Sequence, residues 1–323
     1  MIIQQMNPEQ IAGSKIQPGA QALNGVALLS HLGVIKIEGE DAAKFIHGQL
    51  TQDFSLLGLD RARLAAFCSP KGRMLASFVG FKRPGGEILL VCSRDVLAPT
   101  LKRLSMFVMR AKARLTDATA EFAVYGLAGS AIVNIAAYAD SAWAKGDFGD
   151  TSVINLYPAL GQSRQLCVVP AQSHSPTGDP LPLETWQWGE VRSGVATVTA
   201  PVVEAFVPQM LNYESVGGVS FKKGCYPGQE VVARSQFRGT LKRRAAIVHG
   251  NSSLVVGSEI FGSEDPDQPV ATVVAFATAP GGGFDALISG QIPAMETQIL
   301  HVGSARGPVL HGLPLPYPLL DDI

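Results

Sequence analysis

The sequence predicts an α+β protein followed by a small all-β domain, and three observations carry that prediction. At 323 residues the chain is longer than one ordinary hydrophobic core accommodates, which argues for two or three domains. Up to about residue 240, strand-type alternation and helix-type periodicity take turns. From about Arg244 onward only short β-type runs remain, punctuated by "DPDQP", "PGGG" and "SARGP". The expected division is 1–240, built of two α+β subdomains, and 241–323, an antiparallel barrel or sandwich.

Each element has a local reason. "GVIKIEG" (33–39) alternates like a half-buried strand, and "EDAAKFIHG" (40–48) reads as a short helix with Asp41 near its start and Gly48 at C′. "RLAAFC" and "RMLASFVGF" flank "SPKG" (69–72), where Pro70 presets the turn and Gly72 suits its last position, so they form a hairpin. "EILLVC" (87–92) is a strand. "DVLAPTLKRLSMFV" (95–108) is an amphipathic helix, with Asp95 as N-cap and Pro99 in or near the first turn. "AKARLTD" (111–117) completes a ferredoxin-like order of strand, helix, hairpin, strand, helix, strand. "EFAVYGLAG" (121–129) and "SAIVNIAAYA" (130–139) begin a second strand–helix unit. Beyond the loop "PAQSHSPTGDPLP" (170–182), "LETWQWGEVRSG" (183–194) is a helix ending at Gly194. "LPLPYPLL" (313–320) is an extended, proline-rich tail packed along the surface.

Composition narrows the function. Hydrophobic residues at 46% and charged residues at 16% describe a packed globular chain, and a net charge of −1 argues against a nucleic-acid coat. Cys68, Cys92, Cys167 and Cys225 are scattered without a C-x-x-C, which fits neither a disulfide framework nor a zinc site. The N-terminus lacks the layout of a secretory or transit signal, and no apolar run reaches the roughly 18 residues of a span. A cytoplasmic protein without a membrane partner is expected.

The chemically richest stretch is "FKKGCYPGQEVVARSQFRG" (221–239). Pro227 suits the first position of a helix and Gln229 and Glu230 its first turn, which puts Cys225 just before a helix N-terminus. There the helix dipole, Lys222 and Lys223 all favour thiolate. Gly224 and Gly228 leave the backbone open to a ligand. From Lys222 to Arg244 seven basic residues face one acid, Glu230, making a local positive field. From the residues alone a small buried filler is also a fair reading of Cys225, and a solvated face of the basic run. His47 reads as a hydrogen-bonded helix-end residue, His174 as solvent-exposed, and Cys68 and Cys92 as core.

"KKGCYPGQEVVAR" (222–234), with "FVPQMLN" (206–212), "SVGGVSFKKG" (215–224), "GEDAAKFIHGQLTQD" (39–53) and "SPKGRMLASF" (69–78), resembles the YgfZ family over about residues 30–245. That family comprises folate-binding proteins related to the aminomethyltransferase (T-protein) superfamily. The resemblance implies three subdomains in a ring around a channel that takes tetrahydrofolate or a derivative. It implies that Cys225 is the functional cysteine and that Trp186 contacts folate; the charges of Lys223 and Arg234 are expected to favour the Cys225 thiolate. Gln209 and Asn212 join Trp186 as candidate folate-binding residues, since pterin edges need amide-type partners, and Glu230 is a further candidate for folate binding. The role implied is that of an accessory factor in the assembly or repair of iron–sulfur proteins, indirectly supporting tRNA modification. Its expected partners are a reduced folate and iron–sulfur proteins or their assembly machinery; direct nucleic-acid binding is not expected. Two departures stand out. A family tryptophan before the "GEDAAKF" helix has Leu32 and Gly33 in its region, and Ala76 and Ser77 stand where aminomethyltransferases carry an aspartate. Without that carboxylate a one-carbon transferase, the alternative reading, lacks its main proton-handling group.

Overall fold

Residues 23–135, 141–238, 241–252 and 254–320 are described by the computed structural model of the chain, and three sheets organise them. The chain runs β1 (Gly25–Leu28), β2 (Leu32–Glu38), α1 (Ala42–His47), β3 (Ala62–Cys68), β4 (Met74–Lys82), β5 (Ile88–Ser93), α2 (Arg94–Ser105) and β6 (Arg114–Asp117). It continues with β7 (Phe122–Ala128), β8 (Lys145–Phe148), β9 (Thr151–Asn155), β10 (Arg164–Pro170), α3 (Leu183–Arg192) and α4 (Gln229–Phe237). The last part holds β11 (Arg243–Gly250), β12 (Glu259–Gly262), β13 (Pro269–Thr278), β14 (Phe284–Gln291), α5 (Ile292–Thr297), β15 (Leu300–Val302) and β16 (Val309–Leu313).

The first sheet has the order β3-β4-β5-β2-β6 and the second β1-β7-β10-β9-β8. The first is apolar on both faces for a reason visible in its two-residue period. Ala65 and Phe67 of β3, with Ile88, Leu90 and Cys92 of β5, pack with α1 and α2. Their neighbours Leu64, Ala66, Leu89 and Val91 turn the other way, into a core shared with the second sheet. The near-continuous hydrophobic runs of these strands follow from being covered twice. β11 to β16 close into a six-stranded antiparallel barrel, in the order β11-β14-β13-β12-β15-β16, around Val248, Ile260, Val273 and Ile288.

Several expectations meet corrections. α2 starts at Arg94 after Ser93, so Asp95 is a first-turn residue and not the N-cap. Its carboxylate instead accepts from Ser93 Oγ at 2.6 Å and from the Ala200 N–H at 2.8 Å, while Pro99 lies inside the helix. Gly48 is a right-handed C-cap at φ −74°, not a C′ residue. The strand over 111–117 is limited to Arg114–Asp117. Where a helix over 130–139 was expected, Gly129–Ala131 form one 3₁₀ turn and 132–135 are not helical; 136–139 lie outside the described residues. β1 and β8–β10 are strands beyond those expected from the sequence. α3 ends as expected, with Gly194 at φ +66° just past its C-cap Ser193. Among the described residues no helix is long and apolar enough to cross a membrane.

The barrel is bolted to α3 by a buried polar knot. Asp285 of β14, 2% exposed, accepts from Trp188 Nε1 at 2.7 Å and from Arg192 at 3.2 Å, and its other oxygen meets His249 Nδ1 at 2.8 Å. Tyr317 in the tail is also buried and donates its hydroxyl to the Gly194 carbonyl at 2.7 Å.

Candidate functional site

Between the two sheets lies a cavity of about 80 Å³, several times what one water needs. The first sheet supplies Leu64, Ser77, Phe78 and Val91; the second supplies Arg164 and Leu166, the link between β9 and β10 supplies Tyr157, and α3 supplies Trp186 and Glu190. Arg164 is first in β10, and its two-residue register with Leu166 and Val168 carries it to the face that enters the shared core. It is only 3% exposed. Its guanidinium lies 4.3 Å from the centroid of the Trp186 ring, and its buried Nε has no hydrogen-bond partner. Burial pushes its pKa down to about 10 and the charge of Glu190 pushes back, so the group stays cationic at neutral pH.

Trp186 is fully buried, and its Nε1 donates to Glu190 Oε1 at 2.9 Å, one helical turn on. A Cβ at Gly126 of β7 would lie 2.5 Å from its ring atoms, so only glycine lets the indole lie against that strand. With Arg164 on the ring as well, Trp186 works first as a platform for the guanidinium. Glu190 keeps 31% of its side-chain surface, and His31 Nε2 lies 3.4 Å from its Oε2. Burial pushes the carboxyl up, but the contact with His31, the Arg164 charge and the Trp186 N–H outweigh it and bring it down. Glu190 is thus an ionised acceptor at neutral pH. Trp143 and Tyr157, with ring centroids 5.9 Å apart, add an aromatic wall. Ser77 lines the cavity and accepts the Val198 N–H at 2.8 Å, whereas Ala76 points to the helix side. Glu190 is the one carboxylate among the described lining residues.

The cysteine loop is elsewhere, against the hairpin turn and the end of α1. α4 begins at Gln229, with Gly228 in the left-handed region at φ +81° as its N-cap. Pro227 therefore precedes the helix instead of opening it, and Cys225 stands four residues before Gln229, beyond the first-turn reach of a helix dipole. The cause is a close approach: a Cβ on Gly228 would lie 2.7 Å from the Gly72 Cα, so the chain must turn there before it can coil. Lys223 is buried and pinned, donating to the Leu50 carbonyl at 2.6 Å and to the His47 carbonyl, with its ammonium 4.7 Å from the Tyr226 ring centroid. Burial lowers its pKa to about 8 against the opposing charges of Asp53 and Cys225. Arg234 and Glu230 pair with each other at 2.6 Å on the exposed face of α4. Cys225 is exposed, while Cys68, Cys92 and Cys167 are buried with thiols pushed up to about 12. His47 Nδ1 lies 3.1 Å from Asp53 Oδ1, and a Cβ on Gly224 would lie 3.7 Å from its Nε2.

Gln209 and Asn212 are fully buried, and neither lines the cavity. Gln209 Nε2 donates to the Val232 carbonyl at 2.8 Å, fixing α4. Asn212, left-handed at φ +57°, donates to the Ala245 carbonyl at 2.9 Å and accepts its N–H at 3.1 Å, fixing the first barrel strand. Their amides satisfy the backbone of neighbouring elements, which is where most buried side-chain hydrogen bonds go. Of the seven residues singled out from sequence, Trp186 alone lines the cavity. Arg164, Glu190 and Tyr157 are cavity residues outside that set. The available signals were an arginine heading the apolar strand "RQLCVV" and a glutamate four residues after Trp186.

No family model matches the chain. Among curated relatives, the tRNA-modifying protein YgfZ of Cronobacter sakazakii is 31% identical over 256 residues, covering 74% of this chain and 76% of that protein. Its counterpart from Shigella sonnei is 32% identical over 73% of this chain and 76% of its own length. The one from Colwellia psychrerythraea is 28% identical over 91% and 93% respectively. Among solved structures, the glycine cleavage system aminomethyltransferase T of Bartonella henselae matches with a TM-score of 0.65 over 94% of this chain and 88% of its own, at 12% identity. That is a likeness of fold.

Proposed function

The chain belongs to the family of the tRNA-modifying protein YgfZ, and from that membership we propose that it is a folate-binding accessory protein acting in the assembly or repair of iron–sulfur proteins, and through them supporting tRNA modification. The observation that carries the folate part is the inter-sheet cavity, where a buried guanidinium with an unpartnered Nε faces an ionised carboxylate among aromatic walls. An orphaned buried donor beside an acceptor suits a flat heterocycle with an amide-type edge. Arg164 and Glu190 would hold the pteridine ring, with Trp143, Tyr157 and Trp186 shielding it from water. A reduced folate, when bound, supplies a one-carbon carrier and a reducing ring.

Cys225 is the reactive thiol in this reading: it is exposed, on a loop held from beneath by the buried Lys223. Lys223 positions the loop, and the Arg234–Glu230 pair stiffens the helix that follows. A cluster usually takes four thiolates, so an iron–sulfur partner must bring the others, and Cys225 acts on it transiently. The fold likeness favours a second reading, a folate-dependent one-carbon transferase. Against it, β4 offers the cavity the Ser77 hydroxyl and no carboxylate.

Calorimetric titration with tetrahydrofolate tests the first part; binding is expected, with a rise in melting temperature. No heat and no shift at millimolar ligand would sink the folate reading. Cys225→Ala should fold normally yet fail to restore iron–sulfur enzyme activity in cells lacking the protein. Formation of methylenetetrahydrofolate from tetrahydrofolate and methylated amines would favour the transferase.

A further inference from the structure

We infer that Arg164 and Glu190 together read the oxo edge of the ligand's pteridine, so that the cavity accepts 4-oxo pteridines and refuses their 4-amino counterparts. This rests on the folate reading above and adds to it a rule of selection.

The hydrogen-bonding capacity of each group limits what it can meet. A guanidinium has N–H donors in a planar fork and no acceptor, so whatever meets Arg164 must present an oxygen or a bare ring nitrogen. Its Nε is buried without a partner, and its remaining contacts are the Trp186 face and the field of Glu190. An ionised carboxylate has acceptors only, so what meets Glu190 must present N–H. Among the described residues the two do not hydrogen-bond each other, although both line the cavity. Glu190 Oε1 takes the Trp186 N–H and Oε2 faces His31. Both line the cavity without pairing, so each keeps capacity for a ligand edge that carries C=O beside N–H. The 4-oxo pteridine edge carries that pair. A 4-amino ring instead turns an NH₂ toward a cation; protonated at N1 it can give the carboxylate a ring N–H, but it then sets the N8–H of the reduced ring against the donor-only guanidinium. The glutamate tail of a folate is a poor occupant, because its carboxylates would face Glu190.

Trp186 locks the reader in place. Gly126 supports the indole from one strand and Glu190 holds its N–H, so the ring cannot turn and the guanidinium stacked on it keeps its heading. A group selected only for stability would not be left this way, since burying a cation with donors unmet destabilises the fold. The expected signature is therefore opposite in sign for binding and for stability.

The test is calorimetry of the full-length protein with tetrahydrofolate, with tetrahydropterin lacking the tail, and with a 4-amino analogue of tetrahydrofolate. Wild type, Arg164→Met and Arg164→Lys are compared, with melting temperatures of the ligand-free proteins. Wild type should bind the two oxo compounds and disfavour the amino analogue by about 100-fold or more, the scale expected when a site's buried polar groups are left unpaired. R164M should weaken tetrahydrofolate by about 10-fold or more and erase the preference, while its ligand-free melting temperature stays level or rises. R164K, which keeps the charge without the fork, gives the same comparison should R164M fail to fold, and should also lose the preference. Equal binding of oxo and amino compounds by wild type, or a preference that survives in the variants, overturns the inference and leaves the folate reading standing. Absence of binding by both tetrahydrofolate and tetrahydropterin removes the folate reading and this inference with it.

Discussion

Lys223 shows how a single side chain can be recast by its surroundings. In the sequence it is one of several lysines beside a cysteine; in the fold its ammonium serves the carbonyls of His47 and Leu50. Burial lowers its pKa from 10.5 to about 8. Below pH 8 it is charged in both states and the full cost of burying the charge is present. Between pH 8 and 10.5 the unfolded chain binds more protons than the native one, so this residue's contribution to stability rises with pH. The buried thiols work the other way, since Cys68, Cys92 and Cys167 keep their protons up to about 12 against 9 unfolded, and their contribution is lost above pH 9. Comparing wild type with Lys223→Met cancels the thiols. Urea midpoints measured across this range should shift in favour of wild type as pH rises through 8. Parallel curves would mean that Lys223 titrates as an ordinary surface lysine.

Among the elements, β7 and α3 depend on each other at one point. Gly126 has no side chain because the Trp186 ring occupies that space, with ring atoms 2.5 Å from where a Cβ would stand. Gly126→Val should cost about 1–3 kcal/mol, the range for overpacking a filled core. It should also displace Trp186 and, with it, Arg164. Urea denaturation and tetrahydrofolate titration check the two effects; a stable variant with unchanged binding would show that the indole has room to move. The same logic shapes α4, whose start is set by the meeting of Gly228 with the hairpin turn at Gly72. Local helix signals place Pro227 at its first position; the packed turn delays the helix to Gln229.

At the scale of the whole molecule, the question is what holds the barrel to the two sheets. Asp285 gathers Trp188, Arg192 and His249 around a buried carboxylate, and removing it takes the acceptor from all three. Asp285→Ala should cost about 3–5 kcal/mol, the scale for breaking a buried pair from one side. The loss should also loosen the seam between α3 and β14. Limited proteolysis should then release a barrel fragment faster than it does from wild type. A variant cut no faster than wild type would place the seam's strength in Asn212 and Tyr317 instead.

What the amino-acid sequence determined by itself is what short-range physics encodes. Pro70 and Gly72 specify the hairpin turn, the 3.6-residue pattern of 183–194 and Gly194 specify α3 and its end, and the loss of helix periodicity after residue 243 announces the barrel. The motif around Cys225 was legible too, and with it the family. Only the tertiary structure decided which charges are buried. Arg164 heads a strand, where an arginine is ordinarily solvated; it is enclosed because α3 and the first sheet close over that face. β1 joins the second sheet by pairing Gly25 with Ala128, a contact that no local window contains. Lys223 and Arg234 look like partners for the cysteine in sequence, yet one is taken by carbonyls more than a hundred residues away and the other by Glu230. Propensity and periodicity act between neighbours a few residues apart, whereas desolvation and hydrogen-bond pairing depend on whatever the fold brings within a few ångströms.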